Sequence, residues 1–300
     1  MPDPEEAVIF LHVPKTAGST LRSLFAAQLP PGRVFSQPAV GGDAERHYLR
    51  YLRGEAEAPP GADAPGAVPR HLRALEPVPE AERRRLALLM GHFWFGIHEG
   101  LPQPATYVTV IRDPVDRVLS QHHHRVVHHG LGQTLEEYLE ADRDFEIRNA
   151  QTRRIAGPRA GGAVTGDGAN PALLEAAKDH LRSSFSVVGV TERLDEFLVL
   201  LQRTFGWRLH GYLSQNVSRG RSPRERVSSK LLQVIEDRNP LDRELHRFAG
   251  ERLTEGLLAS GPDVDADLRR LRRWSAIYRR ARPAVRVRNR LRRLRSGAGA

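Results

Sequence analysis

A chain of 300 residues is long enough to bury a real core and allows one large domain or two small ones. With 40% hydrophobic and 27% charged residues it reads as an ordinary globular protein, and the absence of cysteine excludes disulfides and thiolate chemistry. The net charge of +10 gives no support to nucleic-acid binding by the body of the protein: thirteen arginines and no acidic residue lie from Leu268 onward, and without them 33 basic side chains face 36 acidic ones, a net of −3.

The N-terminal Met1-Pro-Asp-Pro-Glu-Glu has neither the basic region nor the apolar stretch of a signal peptide, and no run approaches the roughly 18 apolar residues of a membrane span. A cytoplasmic protein is the expectation. Ala7 to Leu11, continued by Val13, reads as a strand buried on both faces. Pro14-Lys15-Thr16-Ala17-Gly18-Ser19-Thr20 follows, and Leu21, Leu24 and Phe25 then recur at helical spacing. The turn therefore joins a strand end to a helix N-terminus, where unpaired N–H groups and the helix dipole favour an anion. Gly18 permits close backbone approach, Lys15 brings a mobile charge, and Ser19 and Thr20 donate hydrogen bonds. A nucleotide phosphate is the expected anion; an ordinary strand-turn-helix with a solvated lysine is the alternative.

Residues 30–80 are rich in Pro and Gly and read as a loop-rich excursion, interrupted by a short helix over His47–Leu52. Glu80–Leu89 reads as a helix, and Met90–Gly96 is too rich in glycine and aromatics to continue it. Tyr107–Ile111 is a second strand, closed by Arg112-Asp113-Pro114, with Val115, Val118 and Leu119 as the buried stripe of the next helix. Thr134 and Glu137 form a capping box before a helix beginning at Leu135. After a loop over 157–170 come a helix (Pro171–Leu181), a third strand (Phe185–Val190) and helices over Leu194–Thr204, Glu225–Asp237 and Asp242–Leu258. Strands alternating with helices predict an α/β fold with a largely parallel sheet and helices on both faces. Residues 1–267 are expected to form one domain, and 268–300 an Arg-rich tail.

Lys15 precedes Gly18, so the turn is not a Walker A loop, in which lysine follows the second glycine. Arg112 at a strand end and Ser120 two turns into the next helix are spaced to meet on one phosphate, a task suited to the planar guanidinium; a helix-start salt bridge from Arg112 to Asp116 or Asp113 is the alternative. Arg117 reads as a helix support or the partner of an acid. His122, His123, His124, His128 and His129 crowd one helix, but no metal-ligand pattern completes a site, so no metal is expected.

His-Val-Pro-Lys-Thr-Ala-Gly-Ser-Thr resembles the 5′-phosphosulfate loop of sulfotransferases, in particular the family containing heparan sulfate 2-O-sulfotransferase and its bacterial relatives. Arg112-Asp-Pro-Val-Asp-Arg-Val-Leu-Ser120 is similar to the 3′-phosphate motif of those enzymes. Further matches, Asn149-Ala-Gln-Thr-Arg153, Val188–Glu192, Asn216–Ser218 and Asn239-Pro-Leu-Asp242, extend the likeness over about residues 7–250. The resemblance implies a P-loop-like, nucleotide-kinase-like fold and 3′-phosphoadenosine-5′-phosphosulfate (PAPS) as sulfuryl donor, with PAP as product. It assigns Lys15, Thr16, Ala17, Gly18, Ser19 and Thr20 to the 5′ side and Arg112 and Ser120 to the 3′ side. It implies a hydroxyl acceptor, expected on a glycan, with Asn149–Arg153 lining the acceptor cleft.

Transfer to a hydroxyl needs a base near the acceptor and a cation near the leaving oxygen. Lys15 is the expected cation. His92, in Gly91-His92-Phe93, is the expected base, with a histidine merely packed among Phe93, Trp94 and Phe95 as the alternative, and His98 is a weaker candidate. Arg219 and Arg221 read as loop residues able to reach the 3′ side. The rival readings are a P-loop-type nucleotide or small-molecule kinase and a non-catalytic nucleotide-binding module. The tail mixes Leu268, Leu271, Trp274, Ile277 and Tyr278 with arginines; peripheral contact with an anionic membrane, polyanion binding and a solvated end all remain open.

Overall fold

The computed structural model describes residues 6–37, 43–57, 72–161, 163, 169–209, 211–212 and 224–296. In chain order these form β1 (Ala7–Leu11), α1 (Gly18–Ala26), β2 (Val34–Ser36), α2 (Asp43–Leu52), α3 (Glu80–Arg83), β3 (Leu88–Gly91) and β4 (Ala105–Ile111). There follow α4 (Pro114–His129), α5 (Leu135–Ala141), α6 (Ala150–Ala156), α7 (Pro171–Ser183), β5 (Phe185–Val190), α8 (Leu194–Phe205), α9 (Ser229–Arg238), α10 (Pro240–Ala259) and α11 (Val264–Ser296). The strands make one sheet in the order β2-β3-β1-β4-β5, every pair parallel, as the α/β reading expects.

β1 lies at the centre, and all its side chains are buried. That is why its sequence is a continuous apolar run instead of an alternating one. Val8 pairs with Leu88 of β3 and Phe10 with Val108 of β4, and the Thr109 hydroxyl donates to the Leu11 carbonyl at 2.8 Å. These contacts fix three strand ends side by side.

Two expectations fail here. The helix expected over Glu80–Leu89 stops at Arg83, and Leu88–Gly91 is a sheet strand. Leu86 to Met90 is a short apolar run, and periodicity cannot distinguish helix from strand in such a run. β2 was not anticipated within the loop-rich excursion; it is three residues long, sits at the sheet edge and buries no residue fully. α2 is tied down as well: Leu52 is buried with Val115, Val118 and Leu139, and Tyr48 donates to Asp144 at 3.0 Å.

A second set of buried hydrogen bonds joins distant parts of the chain. Asn149 accepts from the amides of Leu241 and Asp242 at the start of α10, and its own amide donates to Asn239 at 2.9 Å. The Asp242 carboxyl, fully buried, accepts from the Gln151 amide and from the amide and hydroxyl of Thr152. Asn149–Arg153 was expected to line an acceptor cleft; instead it is buried and acts as a clamp between α6 and α10. Replacing Asp242 by Ala orphans three buried donors, so urea denaturation should show a loss of about 2–4 kcal/mol, with Asp242→Asn costing less. A loss for the alanine variant within about 0.5 kcal/mol of zero would contradict the clamp.

Candidate active site

The chain leaves β1 toward β2 on one side of the sheet and leaves β4 toward β5 on the other. In open α/β sheets such a reversal opens a crevice beyond the carboxyl ends of the strands. Here the crevice is bordered by the turn after β1, by Gly91-His92 after β3 and by Arg112 after β4.

In the β1 turn the Thr16 hydroxyl donates to the Val13 carbonyl at 2.8 Å. Lys15 and Ala17 adopt left-handed backbone conformations, with φ of 69° and 62°. Two non-glycine residues so close together in that region mark a turn held in shape by its surroundings. Thr20 and Leu21 donate to the Ala17 carbonyl, so the amides of Ala17 and Gly18 precede the first intrahelical bond and lie at the positive end of α1. Gly18 cannot carry a side chain here. A Cβ would fall 1.7 Å from Nε2 of His12, whose ring stacks on Phe10 and lies 4.3 Å from the ring of His92.

Among the described residues no carboxylate forms an ion pair with Lys15. Burial, then the neighbouring guanidiniums of Arg112 and Arg125, push its ammonium down to about 8. Arg112 donates to the Lys15 carbonyl at 3.1 Å and stands 3.8 Å from Asp116. Its backbone is held by Gln151, whose amide oxygen accepts from the Arg112 N–H at 3.0 Å while its amide nitrogen donates to the Arg112 carbonyl at 2.9 Å. Glu192 secures the next residue by accepting from the Asp113 amide, and pairs with His246 at 3.0 Å. Ser120 lies two turns into α4 and is buried.

His92 is fixed at both ends. Its amide donates to Gln37 at 2.7 Å, an approach allowed because Gly91 has no side chain to meet Gln37. Its Nδ1 lies 2.9 Å from the His12 carbonyl. A carbonyl only accepts, so Nδ1 carries the proton and Nε2 is left with a lone pair. Burial pushes His92 down to about 4, against the opposing pull of the His12 carbonyl, so the ring is neutral at physiological pH. Burial and the adjacent His92 hold His12 well below the ordinary histidine range as well.

Beneath these groups lies a buried ionic network. Arg117 reaches Glu146 at 2.9 Å, and Arg154 reaches the other oxygen at 2.5 Å. Burial would raise Glu146, but the two guanidiniums outweigh it and hold the carboxyl below its usual range. Arg117 thus pairs with an acid, one of the two roles its sequence position left open. His98 is elsewhere: its Nδ1 is 2.7 Å from the Tyr107 hydroxyl, toward the start of β4 and away from Arg112. In the histidine-rich part of α4, His122 bonds the Gln133 carbonyl and His124 faces His129 at 3.2 Å. No group of three metal-ligating side chains gathers among the described residues. Asn216–Ser218, Arg219 and Arg221 lie outside the described residues. Sequence reasoning missed the packing role of His12, the anchoring by Gln37 and Gln151, and Glu146 altogether. His12 was visible beside the lysine turn, whereas Glu146 belongs to no motif.

Residues 44–282 match the family described as Galactose-3-O-sulfotransferase. The chain belongs to that family. It is therefore an enzyme that transfers a sulfuryl group to a carbohydrate hydroxyl. The finer likeness to heparan sulfate 2-O-sulfotransferase is not what the match supports. The matched span contains His92, Arg112, Ser120 and the Asn149–Asp242 clamp, and leaves out the turn after β1. No curated protein matches the chain.

The contact between Gly18 and His12 gives a direct test. Gly18→Ala should destabilise by about 1–3 kcal/mol, the range for overpacking a site that cannot relax. In the Gly18→Ala/His12→Ala double variant part of that loss should return, a coupling of about 1 kcal/mol or more in a denaturant cycle. Strictly additive effects would contradict the contact.

Proposed function

We propose that this galactose-3-O-sulfotransferase family member takes its sulfuryl group from PAPS and transfers it to a hydroxyl of a galactose-containing glycan. The observation that carries the reading is the meeting of His92, Lys15 and Arg112 at the ends of three adjacent parallel strands. The β1 turn fits an anion on its own chemistry: helix-start amides, a lysine paired with no carboxylate among the described residues, and a nearby guanidinium. In this reading Lys15 and the amides and hydroxyls of Thr16–Thr20 hold the 5′ phosphosulfate, and Arg112 and Ser120 hold the 3′-phosphate. The galactose preference follows from the family's description alone.

His92 acts as the base. Its Nε2 takes the proton of the acceptor hydroxyl as the oxygen bonds to sulfur. The sulfur–oxygen bond to the phosphate breaks in line, its electron pair stays on the leaving phosphate, and Lys15 offsets the charge that develops there. The carbonyl of His12 keeps the imidazole in the receptive tautomer throughout. The donor has a 3′-phosphate that ATP lacks, so PAP should raise the melting temperature far more than ATP does. Equal shifts would overturn the two-phosphate assignment.

Substitutions should separate binding from chemistry. Arg112→Ala should mainly weaken PAP in calorimetry. Lys15→Met should lose both PAP affinity and turnover while raising thermal stability, because it removes a cation buried beside two others. His92→Ala should leave PAP affinity nearly intact and cut turnover by about 10²–10⁴-fold. Near-normal turnover in that variant would remove His92 from the mechanism; PAP binding with no turnover on any glycan in the wild type would favour a non-catalytic module.

The two shifted groups predict a pH dependence. PAP affinity should hold below pH 8 and fall as pH rises through about 8, where unliganded Lys15 loses its proton. Lys15→Arg should abolish that alkaline limb. On the acid side kcat/KM should persist until pH approaches 4, where His92 becomes protonated. A limb near 6.5 would show that the base is an unburied histidine.

A further inference from the structure

The first half of α11 is two-sided. Leu268, Leu271 and Ser275 face inward, the Ser275 hydroxyl accepts from the Tyr212 amide at 3.2 Å, and Asp267 receives Arg203 at 2.8 Å. That side binds the helix to the body, chiefly to α8. Beside it, Trp274, Ile277 and Tyr278 stand 43%, 44% and 42% exposed, at i, i+3 and i+4, and the two aromatic rings are 6.5 Å apart. They form an apolar strip at the edge of the buried face, where Tyr278 continues the line of Leu271 and Ser275 and lies against Gly211. Exposed arginines border it, among them Arg270, Arg273 and Arg280. Arg270 and Arg272 are paired with Asp267 and Asp195, but no acidic residue follows Asp267 in the sequence.

We propose that α11 is a peripheral membrane-docking helix that lies flat on an anionic lipid surface. The strip enters the boundary between headgroups and acyl chains, while the arginines meet lipid phosphates. Trp and Tyr suit that boundary because each combines an apolar ring with a polar group. Arginine suits it because the guanidinium forks onto phosphate while its stem stays in apolar surroundings. The charge is complementary: thirteen arginines lie from Leu268 on, against a body that is slightly acidic. Each arginine that reaches an anionic leaflet adds to the attraction. An acidic polysaccharide would use the same arginines but would leave three large apolar side chains in water, so the strip favours lipid. No helix among the described residues is long and apolar enough to cross a membrane.

The test uses the full-length protein in vesicle flotation and tryptophan fluorescence. Trp94 and Trp207 are buried at 5% and 6% exposure, so quenching by brominated lipid reports mainly on Trp274. Wild-type protein should float with vesicles of phosphatidylcholine plus about one-third phosphatidylglycerol and show quenched emission, and both signals should fade as salt rises. Vesicles of phosphatidylcholine alone should not bind. The Trp274→Ser/Ile277→Ser/Tyr278→Ser variant should bind anionic vesicles at least about tenfold more weakly, with an unchanged far-UV spectrum and unchanged PAP affinity. Absence of binding, equal binding to neutral vesicles, or a triple variant that binds as well as wild type would each overturn the proposal. The last outcome would indicate an arginine-only polyanion site.

Discussion

The side-chain amide of Gln151 satisfies both backbone polar groups of Arg112, one with its oxygen and one with its nitrogen. A strand end needs such a partner, because the sheet ladder stops there and buried N–H and C=O groups cannot be left unpaired. Gln151 is itself held through its own amide by Asp242, and the neighbouring Asn149 is locked to Asn239. The guanidinium at the crevice is thus positioned by a chain of buried hydrogen bonds running from α10 through α6 to the end of β4. Few of these residues touch the crevice themselves, yet its geometry depends on them.

Charge is distributed on two principles in this molecule. In the interior, Glu146 and Asp144 are surrounded by donors: Glu146 by two arginines, and Asp144 by Arg125, Tyr48, Tyr138 and the Glu146 amide. At the crevice the balance is reversed, with Lys15 close to Arg112 and Arg125 and paired with no carboxylate among the described residues. Keeping like charges together costs stability in the free enzyme and is relieved when an anion arrives. The left-handed Lys15 and Ala17 and the ring of His12 set against Gly18 belong to the same strained region. Strain and excess charge are concentrated where ligand binding offsets them.

Much of this was legible from local pattern. β1 and β4 are apolar runs closed by polar turns, and the chemistry of a lysine turn at a helix start is visible without coordinates. The capping box at Thr134 and Glu137 is present as its spacing implied. β3 was hidden because Leu86–Met90 suits either a buried strand or the end of a helix, and only its neighbours β1 and β2 decide between them. The role of Asn149–Arg153 was misread for a similar reason. Polar residues in a row resemble a binding surface until their partners, some ninety residues later, are seen to bury them. His12 was in view from the start, but its ring position depends on Gly18 and His92 meeting above the sheet. The family match and the turn are also complementary, since the matched segment begins after the turn ends.

The chain contains three lysines among 46 basic residues, and one of them occupies the crevice. An arginine in that place would stay cationic and unreactive at any ordinary pH. Lys15, with its ammonium pushed down to about 8, is in considerable part a free amine in mildly alkaline buffer, and a free amine is a nucleophile. The residue best suited to gripping an anion is thus also the natural target for acylating or aldehyde reagents. A bound anion would protect it by restoring its proton. Covalent labelling at Lys15 would therefore report occupancy of the crevice without any knowledge of the acceptor.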